Sequence, residues 1–485
     1  MVVDEVVPLA DKAVPRTVPH LSDEERKAKG KLAREKCPRD SHATFEPGPD
    51  RPDPVALLES QAPSRVPELV PIRYGRMLVS PFTFFRGAAL IMASDLAAGP
   101  RTGLTAQICG DAHLSNFGVF GSPERQLVFD CNDFDETLPG PWEWDVKRLA
   151  ASIVVASRGL GFSKSNRQEA IIRLGQRYRE AMRQMATSSN LDVWYSKVEV
   201  GPFVDALTQR AAETGSKAEA HMAATATKVT SKAMTKDSMR ALNKLTRVVD
   251  GQRQIISDPP LIVPVEELFP DADHHIQLFT EVIRKYRQSL PTDRKHLLEQ
   301  YKFSQMARKV VGVGSVGTRC WVILMHGPRQ DDVLFLQAKE AEASVLERFT
   351  KKSQYPNHGA RVVAGQRLMQ ASSDILLGWQ RAIGLDGVPR DYYVRQLQDW
   401  KGSLDTENAI PEGLKVYGEL CAHTLARAHA RSGDRIALAS YLGNNASFEK
   451  ALARFAESYA DQNERDYELF AAACKSGRLH AEEGV

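Results

Sequence analysis

Two clusters of residues in this chain carry chemistry. The first is Cys109-Gly-Asp-Ala-His-Leu-Ser-Asn116, followed by Phe129-Asp-Cys-Asn-Asp-Phe-Asp-Glu136. Asp111 and Asn116 flank a short loop. Asp130, Asp133, Asp135 and Glu136 then fall within seven residues. Clustered carboxylates repel one another, so a cation is their natural partner, and hard oxygen ligands favour magnesium or calcium over zinc. An EF-hand does not fit: Phe134 stands at the fifth ligand position, Asp135 replaces the glycine and Pro141 replaces the final Glu. A polar surface turn is the plain alternative for the acidic run alone.

The second cluster is Gly312-Val-Gly-Ser-Val-Gly317. Gly-x-Gly-x-x-Gly by itself is often only a turn. A P-loop needs Gly-Lys-Ser/Thr, which is absent. A dinucleotide fingerprint needs a helix straight after the glycines, whereas Thr318-Arg-Cys-Trp-Val-Ile-Leu324 favours a strand. The remaining reading is a glycine loop between antiparallel strands that covers nucleotide phosphates with backbone amides. Downstream, Phe335, Gln337 and Lys339 alternate onto one strand face. Lys339 then stands where a phosphate-pairing lysine belongs. Glu340, Glu342 and Glu347 follow; Glu347, inside an expected helix over 341–352, is the favoured partner for Lys339. A base, two metal ligands, a glycine loop and a strand lysine are the parts of a phosphoryl-transfer site. Their joint occurrence is more specific than either cluster.

These clusters need elements to hold them. Residues 103–136 read as strand, loop, strand and acidic loop. Val146, Leu149, Ala150, Ile153 and Val154 form one helical stripe. Residues 165–250 and 265–289 look helical, with Pro259-Pro260 between them. Strand-like runs at 308–325 and 332–339 flank His326-Gly-Pro-Arg329 and read as a hairpin. Residues 360–369 and 391–398 read as strands, and 412–431 and the last forty residues as helices. The expected organisation is an extended or partly ordered segment over 1–70, a helical large lobe over 71–295, a β-rich small lobe over 296–402, and helices over 403–485 returning to the large lobe.

Composition bounds the partners. Lys plus Arg number 64 and Asp plus Glu 61 in 485 residues, a net charge of +3. So even a balance gives no reason to expect nucleic acid or an anionic membrane. No run approaches a membrane span, and no secretory signal opens the chain. The six cysteines form no Cys-x-x-Cys pair, so a reducing, cytoplasmic setting is expected.

The motifs resemble the kinase-like superfamily, in particular its aminoglycoside phosphotransferase and choline kinase branch. That branch carries His-Gly-Asp-x-His-x-x-Asn, and Gly110 to Asn116 match it with Cys109 in place of the first His. Asp133-Phe134 and Asp145 resemble the branch's later Asp-aromatic and helix-opening Asp. The whole chain from about residue 40 also looks like the bacterial domain of unknown function family 2252. The motifs that carry this include Ser80-Pro-Phe-Thr-Phe-Phe-Arg-Gly87, Asn132 to Glu136, Trp144-Asp-Val-Lys-Arg-Leu149 and His429-Ala-Arg-Ser-Gly-Asp434.

The resemblance implies an α+β, two-lobed kinase-like fold that binds ATP and Mg2+ and transfers a phosphoryl group to an unknown hydroxyl acceptor. Because the glycine loop follows the catalytic loop here, the fold is expected to be circularly permuted. Gly312, Gly314, Ser315 and Gly317 would cover the phosphates, and Lys339 would pair with them. Asn116 and Asp133 would hold magnesium, with Asp135 as a second ligand and Asp130 as the alternative to Asp133. Asp111 would orient or deprotonate the acceptor, and His113 would pack or orient the loop. Val394 to Leu397 would form the hinge. A nucleotide-binding pseudokinase and an adenylyl transferase are the alternatives.

Overall fold

The structure, a computed structural model, describes residues 20–485 apart from 236–237, 250–251, 270–271, 330–331, 385, 398–399 and 403–407. It is an α+β protein in which small antiparallel sheets stand beside a large helical body.

The largest sheet has six strands in the order Gly378–Ile383, Pro389–Gln396, Val333–Ala341, Cys320–His326, Lys302–Lys309 and Ile262–Pro264. Every pairing is antiparallel. The glycine run lies between two of these strands, Lys302–Lys309 and Cys320–His326, as its β-rich flanks predict. Register places Lys339 between Cys320 on one neighbour and Tyr393 on the other. Alternation along the central strand then sorts its side chains. Leu334, Leu336 and Ala338 pack with Tyr286 and Leu290 in one cluster. Val333 and Phe335 pack with Leu242 and Leu245 in another.

Two expectations for this region fail. Residues 341–352 are not a helix; a 3-10 turn, Val345–Arg348, is the helical part. Residues 360–369 are not a strand but belong to the helix His358–Met369. Its Arg361-Val-Val363 run looked β-like because the helix is buried on nearly every side, which erases a one-faced apolar stripe.

The helical body is centred on Trp142–Gly159, which is buried along almost its whole length. The helices Lys164–Thr187, Pro411–Ser432 and Ser447–Lys475 pack around it and share one large apolar core. Two short sheets ride on this body. Thr105–Ile108 pairs with Leu138–Pro141, and the hairpin of Phe117–Gly121 and Leu127–Cys131 takes Val198–Glu199 as a third strand. The linker after the large sheet joins this hairpin, where Gly402 and Val119 exchange both backbone hydrogen bonds at 2.9 and 2.8 Å. The described part of the first 70 residues is structured rather than extended. Helix Asp23–Lys36, closed at its start by a Ser22–Glu25 capping box, packs on Arg435–Leu442. The remainder of the extended segment expected there, residues 1–19, lies outside the described residues.

Candidate active site

The loop Cys109–Asn116 leaves strand Thr105–Ile108 through Gly110, whose φ of 79° suits glycine. Asp145, on the first turn of helix Trp142–Gly159, fixes this turn. Its carboxylate accepts from the Cys109 amide at 2.7 Å and the Gly110 amide at 2.9 Å. His429 Nε2 stands 3.3 Å from the same carboxylate. The helix therefore positions the loop through a buried anion rather than by apolar packing alone.

Asp111 lies next along the loop. Arg148 Nε donates to its Oδ1 at 2.6 Å, and His113 Nε2 is 3.8 Å from its Oδ2. Burial pushes the Asp111 carboxyl up, against the opposing charge of Arg148. Burial, with Arg148 and Arg86 nearby, holds His113 well below its ordinary value, so it stays neutral. Its Nδ1 accepts from the Ser115 amide at 3.2 Å, the loop-ordering part expected for it. Asn116 donates its Nδ2 to the Asp111 carbonyl at 2.7 Å. That leaves its own carbonyl oxygen as the atom able to ligate a cation.

The acidic run divides. Asp130 is buried and saturated: Arg427 Nη2 donates at 2.6 Å, and the amides of Ala371 and Cys131 donate at 2.9 and 2.8 Å. It serves packing, which leaves Asp133 as the open carboxylate of the two. Burial raises Asp133, and the neighbouring Asp135 raises it further. Burial would also raise Asp135, but Lys339 and Tyr393 hold it below the ordinary carboxylate range. Asp133 Oδ1 accepts from the Asp135 amide at 3.2 Å, which fixes the spacing of the two side chains.

The two sequence clusters meet at Asp135. Lys339 Nζ contacts Asp135 Oδ2, Tyr393 donates its hydroxyl to Oδ1 at 2.8 Å, and Ser315 of the glycine loop lies 3.5 Å from Oδ2. Lys339 is only 3% exposed. Burial opposes its charge, but Asp135, Tyr393 and Asp133 outweigh that and raise it. The partner of Lys339 is thus Asp135, in correction of Glu347. Glu347 sits on the 3-10 turn with Oε1 buried and lacking a hydrogen-bond partner. A loop carboxylate took the place expected for a helical one because only Val345–Arg348 of 341–352 is helical, a 3-10 turn too short to present a helix face.

Residues that spacing alone did not single out complete the site. Arg361, from helix His358–Met369, donates to the carbonyls of Asp135, Thr137 and Glu342 and so staples the acidic loop to the sheet. Arg76 donates to Gly312 O at 2.7 Å, and Arg65 donates to Val316 O. The Val66 amide reaches Gly317 O at 2.8 Å. Gly314 approaches the Arg86 carbonyl so closely that a Cβ would stand 3.0 Å from it. The segment 65–87 therefore grips the glycine loop from outside, an arrangement that its sequence motifs did not announce.

Among the described residues no three His, Cys, Asp or Glu side chains converge into a closed metal cage. Of the residues expected as metal ligands, Asp133 is tied to Asp135 through the Asp135 amide, and Asn116 to the Asp111 carbonyl. No helix among the described residues is long and apolar enough to cross a membrane. The cysteines are all free.

No curated protein matches the chain, and no solved structure does. A family described as an uncharacterized protein conserved in bacteria matches residues 65–473, a span that takes in both clusters and the arginines that grip them. The chain belongs to this bacterial family, DUF2252.

Proposed function

We propose that the chain is a cytoplasmic, ATP- and Mg2+-dependent phosphotransferase acting on a hydroxyl acceptor, with a circularly permuted, two-lobed kinase-like architecture. The observation that carries this is the meeting of Lys339 and Ser315 on Asp135. Strand order supports it too: counting Lys302–Lys309, which leads into the glycine loop, as the first, the lysine is on the third strand, and helix His358–Met369 comes later. Permutation is supported by helix Pro411–Ser432, whose end lies beside the strand that opens the catalytic loop. There Ser432 Oγ accepts from the Gln107 amide at 3.1 Å.

In this reading the backbone of Gly312 to Gly317 covers the phosphates, and Lys339 pairs with their oxygens. Asn116, Asp133 and Asp135 hold Mg2+, which neutralises charge on the phosphate oxygens. Asp111 takes the proton from the acceptor hydroxyl. The acceptor oxygen bonds the γ-phosphorus as the bridging oxygen leaves with ADP. Arg148 holds Asp111 Oδ1, so Oδ2 is the atom that receives the proton. Positioning and charge neutralisation supply most of such catalysis. Acceptor contacts are assigned to the helical block 160–290.

Nucleotide binding without transfer is the second reading, favoured by Cys109, which stands where the resembling branch carries a His. Incubation with γ- or α-labelled ATP and a bacterial extract tests the proposal. Label transferred from the γ position supports phosphoryl transfer, and label from the α position means adenylyl transfer. Tight binding with neither means a pseudokinase.

A further inference from the structure

A cavity of about 590 Å³ opens between the hairpin Phe117–Cys131, the helices Val200–Thr214 and Lys217–Met234, and the start of helix Pro411–Ser432. That volume falls within the ~300–1,000 Å³ of small-molecule sites. Its wall is mostly apolar, with Phe129, Phe203, Leu207, Val229 and Leu420 facing one another across it. Lys228 and Lys232 line it with His221, and none of its described lining residues is Asp or Glu. Both lysines are exposed and one helical turn apart, and among the described residues neither has an ion-pair partner. Like charges at that spacing weaken a helix, so an anion between them relieves a standing repulsion.

We propose that this cavity binds a single-chain fatty carboxylate, with the hydrocarbon among the apolar side chains and the head group between Lys228 and Lys232. Such an occupant would press on Tyr417, whose ring lines the cavity and whose hydroxyl donates to Phe117 O at 2.9 Å, immediately after Asn116. The site stands whether or not the cleft transfers a phosphoryl group.

Calorimetric titration of the full chain with decanoate, below its micelle concentration, tests this. Saturable one-to-one binding is expected. Decanol should bind at least ~tenfold more weakly, and decyltrimethylammonium not at all. The Lys228→Glu/Lys232→Glu double variant changes only exposed side chains and should lose at least ~tenfold in decanoate affinity with unchanged circular dichroism. Ala226→Trp, which fills the cavity, should abolish binding. Absence of saturable decanoate binding would overturn the proposal, as would equal binding of decanol or an unchanged affinity in the lysine double variant.

Discussion

Lys339 Nζ rests on the carboxylate of Asp135 across 204 residues of sequence, and this contact joins the six-stranded sheet to the acidic loop. The ammonium is buried and the Asp135 side chain is 27% exposed. Removing one partner leaves the other charge poorly solvated. Lys339→Met should therefore cost about 2 kcal/mol, below the ~3–5 kcal/mol of a fully buried pair because water reaches Asp135. Lys339→Met with Asp135→Asn should recover part of that loss. Urea unfolding measures both; a double variant less stable than either single would count against an ion pair here.

Asp145 should behave as an anchor for the turn at Cys109 and Gly110. Its two oxygens serve the Cys109 and Gly110 amides. Asp145→Asn keeps the volume but offers one acceptor oxygen, stranding one buried donor. The expected loss is about 2 kcal/mol by denaturant unfolding. A change under about 0.5 kcal/mol, the ordinary range for a surface substitution, would show that the turn holds itself.

Gly110 and Gly103 make a matched pair. Both have positive φ, 79° and 75°. A Cβ at Gly110 would stand 2.6 Å from Glu136 O, whereas Gly103 faces open space. Gly103→Ala should cost only the backbone term, about 1–2 kcal/mol. Gly110→Ala should cost clearly more, because the contact between catalytic and acidic loops must also shift. Equal losses would mean that the two loops are not in tight register.

Acid should destabilise the protein through histidines that burial keeps neutral, buried His42 and half-buried His423 among them. Burial, with Lys147 nearby, holds His42 down to about 3. Burial, with Arg177 and Arg427, holds His423 down to about 4. In the unfolded chain both titrate near 6.5. Between those values the unfolded state binds protons that the folded state does not. The stability is therefore fully present above pH ~6.5 and is lost as pH falls, by up to about 1.4 kcal/mol per pH unit for each histidine. Raised carboxyls such as Glu136, pushed up to about 7 by burial against the pull of Arg361, titrate with the opposite sign. The informative quantity is thus wild type minus His42→Asn, measured by urea midpoints from pH 7.5 to 5. That difference should shrink toward acid; a constant difference would contradict a neutral buried His42.

Much of this site is legible in sequence because its chemistry is local. The Gly-Asp-x-His loop, the acidic run and the glycine run each lie within a few consecutive residues. Period-two alternation also put Lys339 on a defined strand face. What failed depends on partners remote in the chain. Arg361 lies in a helix buried all round, so its β-branched neighbours imitated a strand. Glu347 looked like the acid for Lys339, but the real partner comes from a loop that only tertiary packing brings near. Arg65 and Arg76 hold the glycine loop through its carbonyl oxygens, an interaction without any spacing rule. Within residues 20–70, helix Asp23–Lys36 shows in the sequence only as a charged run, since it is polar and docks on Arg435–Leu442.

The central claim is that both clusters close over one Mg-ATP. Thermal unfolding with and without Mg-ATP tests it most directly, because a ligand that binds only the folded state raises the midpoint. Wild type should show a clear upward shift with Mg-ATP. Asp133→Asn, which removes the proposed metal ligand, and Lys339→Ala, which removes the proposed phosphate contact, should each show a reduced one. Equal shifts in all three proteins, or no shift in wild type, would contradict the account.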